Sequence, residues 1–257
     1  MAEFFGFGGY TRPAEGFLSW QHLTFVTALM AVMAVLAVTL GRKYRNAGEK
    51  EKNRVLIWAA LLIDGIEIAK IALFYLRSGE LDTILYNLPL FLCSIQLIAL
   101  PVAAFSKGRL KAAALDFVMI FGLLGAVLGT YGAGQNYSTY PVLSLDNVVS
   151  GLTHSIAGFA ALYIGIAKMA DLKKENIWIT LVILLTFCVA AYTVNILTDC
   201  NYMFLKQGDG TPYDILYNLV GGNPVAYPVA VIALFFLYIG VFYLISFRVR
   251  RKKAVPV

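Results

Sequence analysis

The sequence is poor in the residues that do most chemistry. It holds three cysteines and two histidines in 257 residues, and only 14% of its side chains are charged. An odd number of cysteines argues against a disulfide framework. No Cys/His metal spacing, HExxH pair or Gly-rich phosphate loop is present, so no metal or cofactor is expected. An Arg-rich voltage-sensing helix is missing too, and the last apolar stretch has no Lys to carry a retinal Schiff base. What the chain has instead is apolar surface: 60% hydrophobic residues and a mean hydropathy of +0.73. Soluble domains run nearer 45–50% apolar and about 25% charged. That excess excludes a disordered chain, a disulfide scaffold and a soluble Rossmann or barrel enzyme, and makes the bilayer the expected solvent.

A membrane-spanning helix needs about 20 mostly apolar residues. Seven stretches qualify: Gln21–Leu40, Val55–Leu76, Leu85–Phe105, Ala112–Ala133, Val148–Ala167, Ile177–Thr198 and Ala226–Phe247. The basic residues fall on alternate ends of these stretches. They are Arg42, Lys43, Arg45, Lys50, Lys52 and Arg54 after the first; Lys107, Arg109 and Lys111 after the third; Lys168, Lys173 and Lys174 after the fifth; and Arg248, Arg250, Arg251, Lys252 and Lys253 at the end. The positive-inside rule then puts the N-terminus outside and the C-terminus in the cytoplasm. The expected fold is all-α: a single polytopic domain over residues 1–257 with seven transmembrane helices, in the cell membrane. Residues 1–19 form an outer interfacial segment, anchored by Phe4, Phe5, Phe7, Tyr10, Phe17 and Trp20. Residues 248–257 form a basic cytoplasmic tail. The net charge of +6 therefore reads as topology and contact with anionic lipid heads, not as affinity for nucleic acid. The oligomeric state is left open.

Ionisable groups at membrane depth are costly and face a cavity or a partner. Asp64, Glu67 and Lys70 are spaced by three on one helical face, where Glu67 and Lys70 can pair or line a polar cavity. His22 opens the first stretch at the outer interface, and a snorkelling or capping role suits it. His154 and Cys93 lie at matched depth in the fifth and third stretches. An imidazole beside a thiol generates thiolate, so the two suit a nucleophile–base pair, or equally a buried Cys and a hydrogen-bonded His. Gln96, Asn195, Asp199, Asn201 and Tyr202 collect in the same half of the membrane. They are candidates for substrate binding, for orienting His154, or for interhelical hydrogen bonds. Cys188 reads as a small hydrophobe. The loops Gly134–Asn147 and Cys200–Pro224 are rich in Gly, Asn, Asp and Tyr, as functional loops often are.

Four blocks in this half carry a resemblance. Leu88-Pro89-Leu90-Phe91-Leu92-Cys93-Ser94, Leu152-Thr153-His154-Ser155, Asn201-Tyr202-Met203-Phe204-Leu205 and Val220-Gly221-Gly222-Asn223-Pro224 with Tyr227 resemble, in this order, signatures of the YwaF family of bacterial integral membrane proteins. That family is related to the eukaryotic transmembrane protein 164 acyltransferases, and more remotely to intramembrane lipid hydrolases of the androgen-induced-gene type. The resemblance implies that Cys93 attacks an acyl ester while His154 acts as base. The chain departs from the pattern at Phe91, where the family has a His, and at Leu90, where the eukaryotic relatives have their Cys.

The leading expectation is thus a membrane-embedded lipid acyltransferase or acyl-ester hydrolase with an outward-facing pocket. Membrane lipids are its surroundings and substrate, and the two long loops act as a lid. The alternative is a small-solute or lipid transporter or binding protein whose polar cavity uses Asp64, Glu67 and Lys70. A third is a structural subunit whose polar residues only hold helices together.

Overall fold

The computed structural model describes residues 2–254, with side chains described from 3 to 249. Most of the expected basic tail, from Arg250 onward, therefore has no described side chains. Every regular element among the described residues is helical. Five helices are long and apolar enough to cross a membrane: Trp20–Tyr44, Gly108–Leu128, Leu145–Ile166, Lys174–Leu197 and Ala226–Val249. The second expected stretch is also one helix, Glu49–Ser78, but its 30 residues carry Asp64, Glu67 and Lys70 within the apolar run.

The third expected stretch, Leu85–Phe105, is not one helix. A short helix ends at Leu85, turns follow, and a ten-residue helix begins only at Gln96. Pro89 lacks an amide hydrogen and disfavours α geometry at the residue before it, so no single helix runs through this segment. The charged link after the first helix is shorter than expected, leaving only positions 45–48 outside helices.

The chain groups into two compact units. The first spans 1–89 and 96–171. It contains α1 (Ala2–Phe5), α2 (Trp20–Tyr44), α3 (Glu49–Ser78), α4 (Asp82–Leu85), α5 (Gln96–Phe105), α6 (Gly108–Leu128), α7 (Gly134–Thr139) and α8 (Leu145–Ile166). Helix α8 is its centre, packing on α2, α3 and α6. Small residues permit the approach to α6. A Cβ on Gly122 would stand 2.7 Å from the Ala157 carbonyl oxygen, and one on Gly158 would stand 2.6 Å from Cβ of Ala126. Such close contact is how helices associate where no hydrophobic effect drives them.

Polar ties fix both ends of the α3–α8 pair. At one end the Arg77 guanidinium holds the Asp146 carboxylate at two points, 2.8 and 3.1 Å, while Tyr10 Oη donates to the same carboxylate. At the other end Tyr163 Oη donates to the Lys52 carbonyl at 3.1 Å. The two helices are therefore antiparallel and in a defined register.

The loop Gly134–Asn147 is packed rather than loose. Tyr137 packs at a tilt against His22 with ring centroids 3.8 Å apart. The Val142 amide donates to Glu15, and Asn147 Nδ2 donates to the carbonyls of Tyr140 and Pro141. These ties seat the loop on the first unit.

The second unit spans 90–95 and 172–257. It contains α9 (Lys174–Leu197), a 3-10 turn at Tyr202–Phe204, α10 (Asp214–Leu219) and α11 (Ala226–Ala254). Helix α9 buries Asn176, Thr180, Leu184, Cys188, Ala191 and Asn195, a stripe spaced by three and four. Helix α11 buries Tyr227, Val231, Phe235, Ile239 and Tyr243 at the same spacing. The Gly221-Gly222-Asn223-Pro224 block is helix punctuation. Both glycines have positive φ beyond the end of α10, and Asn223 Oδ1 accepts the amides of Val225 and Ala226 to open α11.

Candidate functional site

His154 sits in the middle of α8, half-buried. Its Nδ1 lies 2.7 Å from the Ser150 carbonyl oxygen. A carbonyl only accepts, so Nδ1 carries the proton in the neutral ring and the lone pair resides on Nε2. The opposite edge of the ring lies against α6, where a Cβ on Gly129 would overlap Cδ2 and Nε2 of the imidazole. Only a residue without a side chain can stand at 129 while His154 keeps this rotamer.

The ties at the two ends of α3 and α8 locate His154 against α3. It lies about eight residues along α8 from Asp146, which faces Arg77, and about nine from Tyr163, whose hydroxyl reaches Lys52. His154 is therefore level with Leu61–Ala69 of α3, the stretch that carries Asp64 and Glu67. On that face Lys70 Nζ pairs with Glu67 at 2.5 Å and lies 5.7 Å from the centroid of the Phe74 ring. The expected Glu67–Lys70 pair is present. Asp64 Oδ1 is buried without a hydrogen-bond partner, and so are both amide atoms of Gln96, a residue 1% exposed at the start of α5.

The other histidine is structural. His22 Nδ1 accepts from the Leu18 amide and Nε2 donates to the Thr130 carbonyl, each at 3.1 Å. Both nitrogens are satisfied, and Ser19 caps α2 at the His22 amide. The capping role read from the sequence thus belongs to Ser19, and His22 pins the N-terminal segment to the end of α6.

Cys93 belongs to the second unit and is half-buried in the turns that replace the third stretch. Phe91, where the resemblance would have a His, packs edge-on against Tyr202 at 4.9 Å. Phe204 stacks on Tyr213 at 5.3 Å. Burial, and next the charge of the nearby Cys93 side chain when it ionises, push the Tyr213 hydroxyl up to about 12. Cys93 is thus part of an aromatic surround that the sequence reading did not contain. Cys188 is fully buried, and its Sγ lies 3.7 Å from Sδ of Met203.

Several polar candidates in this unit are engaged with the backbone. Asn195 accepts the Tyr202 amide at 2.7 Å and donates to the Tyr202 carbonyl at 2.9 Å, so one side-chain amide closes the turn. Asn201 accepts the Lys206 amide and donates to the Gln207 carbonyl and the Asp209 carboxylate. Asp199 was expected in the same half of the membrane as Asn195, but α9 ends at Leu197 and Asp199 lies beyond it, 97% exposed, its carboxylate 3.5 Å from Lys206. Met203 and Phe204, inside the Asn-Tyr block, both have positive φ, a strained state that persists only where surroundings enforce it.

A cleft of about 260 Å³ lies elsewhere in the first unit, lined by Glu3, Phe4, Arg12, Pro141, Leu143 and Ser144. It contains none of the expected site residues. Sequence reasoning also missed Gly129 and the Tyr10–Arg77–Asp146 cluster. The small residues Gly122, Ala126 and Gly129, spaced by four and three, were the available signal for the first; the second had none.

No curated protein and no solved structure matches the chain. A family model does, and it covers His154, Cys93 and every other expected site residue. Matched over residues 17–246, the chain belongs to the TMEM164 family, a family of membrane proteins.

Proposed function

We propose that this protein is a membrane-embedded lipid acyltransferase or acyl-ester hydrolase in which His154 is the general base and Cys93 the nucleophile. The observation that carries the reading is the fixed His154 tautomer, with Nδ1–H on the Ser150 carbonyl and the Nε2 lone pair held in the Gly129 cradle. In this reading Nε2 takes the Cys93 thiol proton, and the thiolate attacks an ester carbonyl. The imidazolium returns the proton to the leaving alcohol, which leaves an acyl thioester. Water or a lipid hydroxyl then gives its proton to Nε2 and accepts the acyl group, restoring the thiol. The four sequence blocks support a place near the bacterial YwaF branch. The alternation of basic residues supports seven crossings, with α3 and the α5 region completing the five apolar helices, and a cell-membrane setting with the C-terminus inside.

The test is intact-protein mass spectrometry after incubation with a mixed lipid extract. Wild type should gain an acyl-sized mass that hydroxylamine removes and that Cys93→Ala lacks, and His154→Ala should slow its appearance by 10²-fold or more. Absence of any adduct, with unchanged lipid composition, overturns the reading. One observation favours a transporter instead: the α3 face of Asp64, Glu67 and Lys70. That reading requires solute uptake into vesicles that Asp64→Leu abolishes and Cys93→Ala leaves intact.

A further inference from the structure

The buried polar atoms without partners in Gln96 and Asp64 belong to two helices that pack together, and the two residues stand at about one level. Helices α3 and α5 pack together, and Asn53 near the start of α3 donates to the Ala104 carbonyl near the end of α5 at 2.6 Å. The pair is therefore antiparallel. From that bond Asp64 is about 16 Å along α3 and Gln96 about 12 Å along α5, at 1.5 Å per residue. Side chains lean toward the N-terminus of their own helix. Asp64 thus leans back toward Asn53 and Gln96 leans away from Ala104, which closes the offset of about 4 Å. Asp64 also lies about three turns from Asn53, so it faces the same way. An amide buried with neither atom paired burdens a fold and calls for an occupant.

We propose that Asp64 and Gln96 together bind the glycerol end of a neutral acylglycerol. One free hydroxyl donates to Asp64 Oδ1, the ester carbonyl accepts from Gln96 Nε2, and a second hydroxyl donates to Gln96 Oε1. The ligand satisfies each orphaned atom with the complementary group. Lys70, about two turns along the same face, is already neutralised by Glu67, so no surplus positive charge selects a phosphate. The identity of the ligand rests on the acyl-ester reading above, while the existence of the site rests on the unpaired atoms alone.

The experiment uses full-length Cys93→Ala protein in detergent, so that no thioester chemistry intervenes. Thermal unfolding is followed with and without monooleoylglycerol, and with its alkyl-ether analogue, which lacks the carbonyl. Without ligand, Gln96→Leu should unfold about 3 °C higher, because the unpaired amide is gone. Monooleoylglycerol should raise the midpoint of the parent by about 5 °C and that of Gln96→Leu and Asp64→Leu by less than about 1 °C, with the ether analogue giving half the parental shift or less. A lower midpoint for Gln96→Leu shows that its amide is paired within the protein, and overturns the proposal. Equal ligand shifts in parent and variants mean that water fills the site and the lipid acts by partition, which also overturns it. If native Cys93 is never acylated the enzymatic reading falls, yet these shifts still decide the binding site.

Discussion

The imidazole of His154 occupies the space that a side chain on Gly129 would fill. Gly129 follows the last residue of α6 with a right-handed backbone, φ −77°, so alanine brings no conformational strain and at an open site would even stabilise. Here Gly129→Ala must displace the ring and also crowd the Gly125 carbonyl, 2.7 Å from the new Cβ. We expect a loss of about 1–3 kcal/mol in stability and of Cys93 acylation. Adding His154→Ala should recover part of the stability but none of the acylation, as read by thermal unfolding and mass spectrometry.

The two histidines should behave oppositely. His22 is fully buried with both nitrogens bonded, and His22→Ala strands the Thr130 carbonyl and the Leu18 amide. A cost of about 2–4 kcal/mol is expected, with faster amide exchange at Gly16–Ser19. His154→Ala should cost under about 1.5 kcal/mol while slowing Cys93 acylation by about 10²-fold or more. Equal destabilisation by the two would contradict these assignments.

The Arg77–Asp146 pair predicts a strong response to losing one partner. Asp146 is 7% exposed and Arg77 binds it at two points. Asp146→Ala leaves the guanidinium half-buried and unpaired, at a cost of about 3–5 kcal/mol. Arg77→Lys keeps the charge but loses the two-point geometry, and should retain about half of that stability.

Tyr10 should impose an alkaline limit. Burial first, and then the bond to Asp146, push its hydroxyl up to about 12 from the usual 10. Its folded value lies above its unfolded one, so its contribution to stability is complete below pH 10 and is lost as pH rises toward 12. Tyr10→Phe should flatten stability against pH in that window, relative to wild type. A phenolate absorbance for Tyr10 that emerges at pH 10 would contradict it.

Asn195 should govern the Tyr202 turn. Its amide makes both bonds to the Tyr202 backbone in a fully buried position. Asn195→Leu strands a buried amide and carbonyl and releases the enforced conformations at Met203 and Phe204, costing about 2–4 kcal/mol. Limited proteolysis should then cut within Thr198–Asp209, sites protected in wild type.

Membership of the membrane class and the positions of the long helices could be read directly. Bilayer solvation acts on each residue locally, so runs such as Gln21–Leu40 and Ile177–Thr198 needed no partner to be identified. Pro89 offered the one local hint that Leu85–Phe105 would break, and a hydropathy average passes over it. The pairing of Glu67 with Lys70 was legible because a helix brings residues three apart together. Cys93 and His154 were singled out by residue type, by depth and by the family resemblance.

What touches each of these residues was not legible, because those contacts join residues far apart in sequence. Arg77 finds Asp146, His22 finds Thr130, and His154 finds Gly129 only when helices pack. The same holds for polar roles. Asn195 and Gln96 are both buried side-chain amides, and nothing in the string distinguishes them. The fold gives Asn195 a backbone to hold and leaves Gln96 with none. The sequence by itself determined the solvent, the helices and the few residues able to do chemistry, since these follow from local hydropathy and side-chain type. Tertiary structure decided which of those residues are satisfied and which are left without a partner, since satisfaction depends on neighbours that only packing supplies.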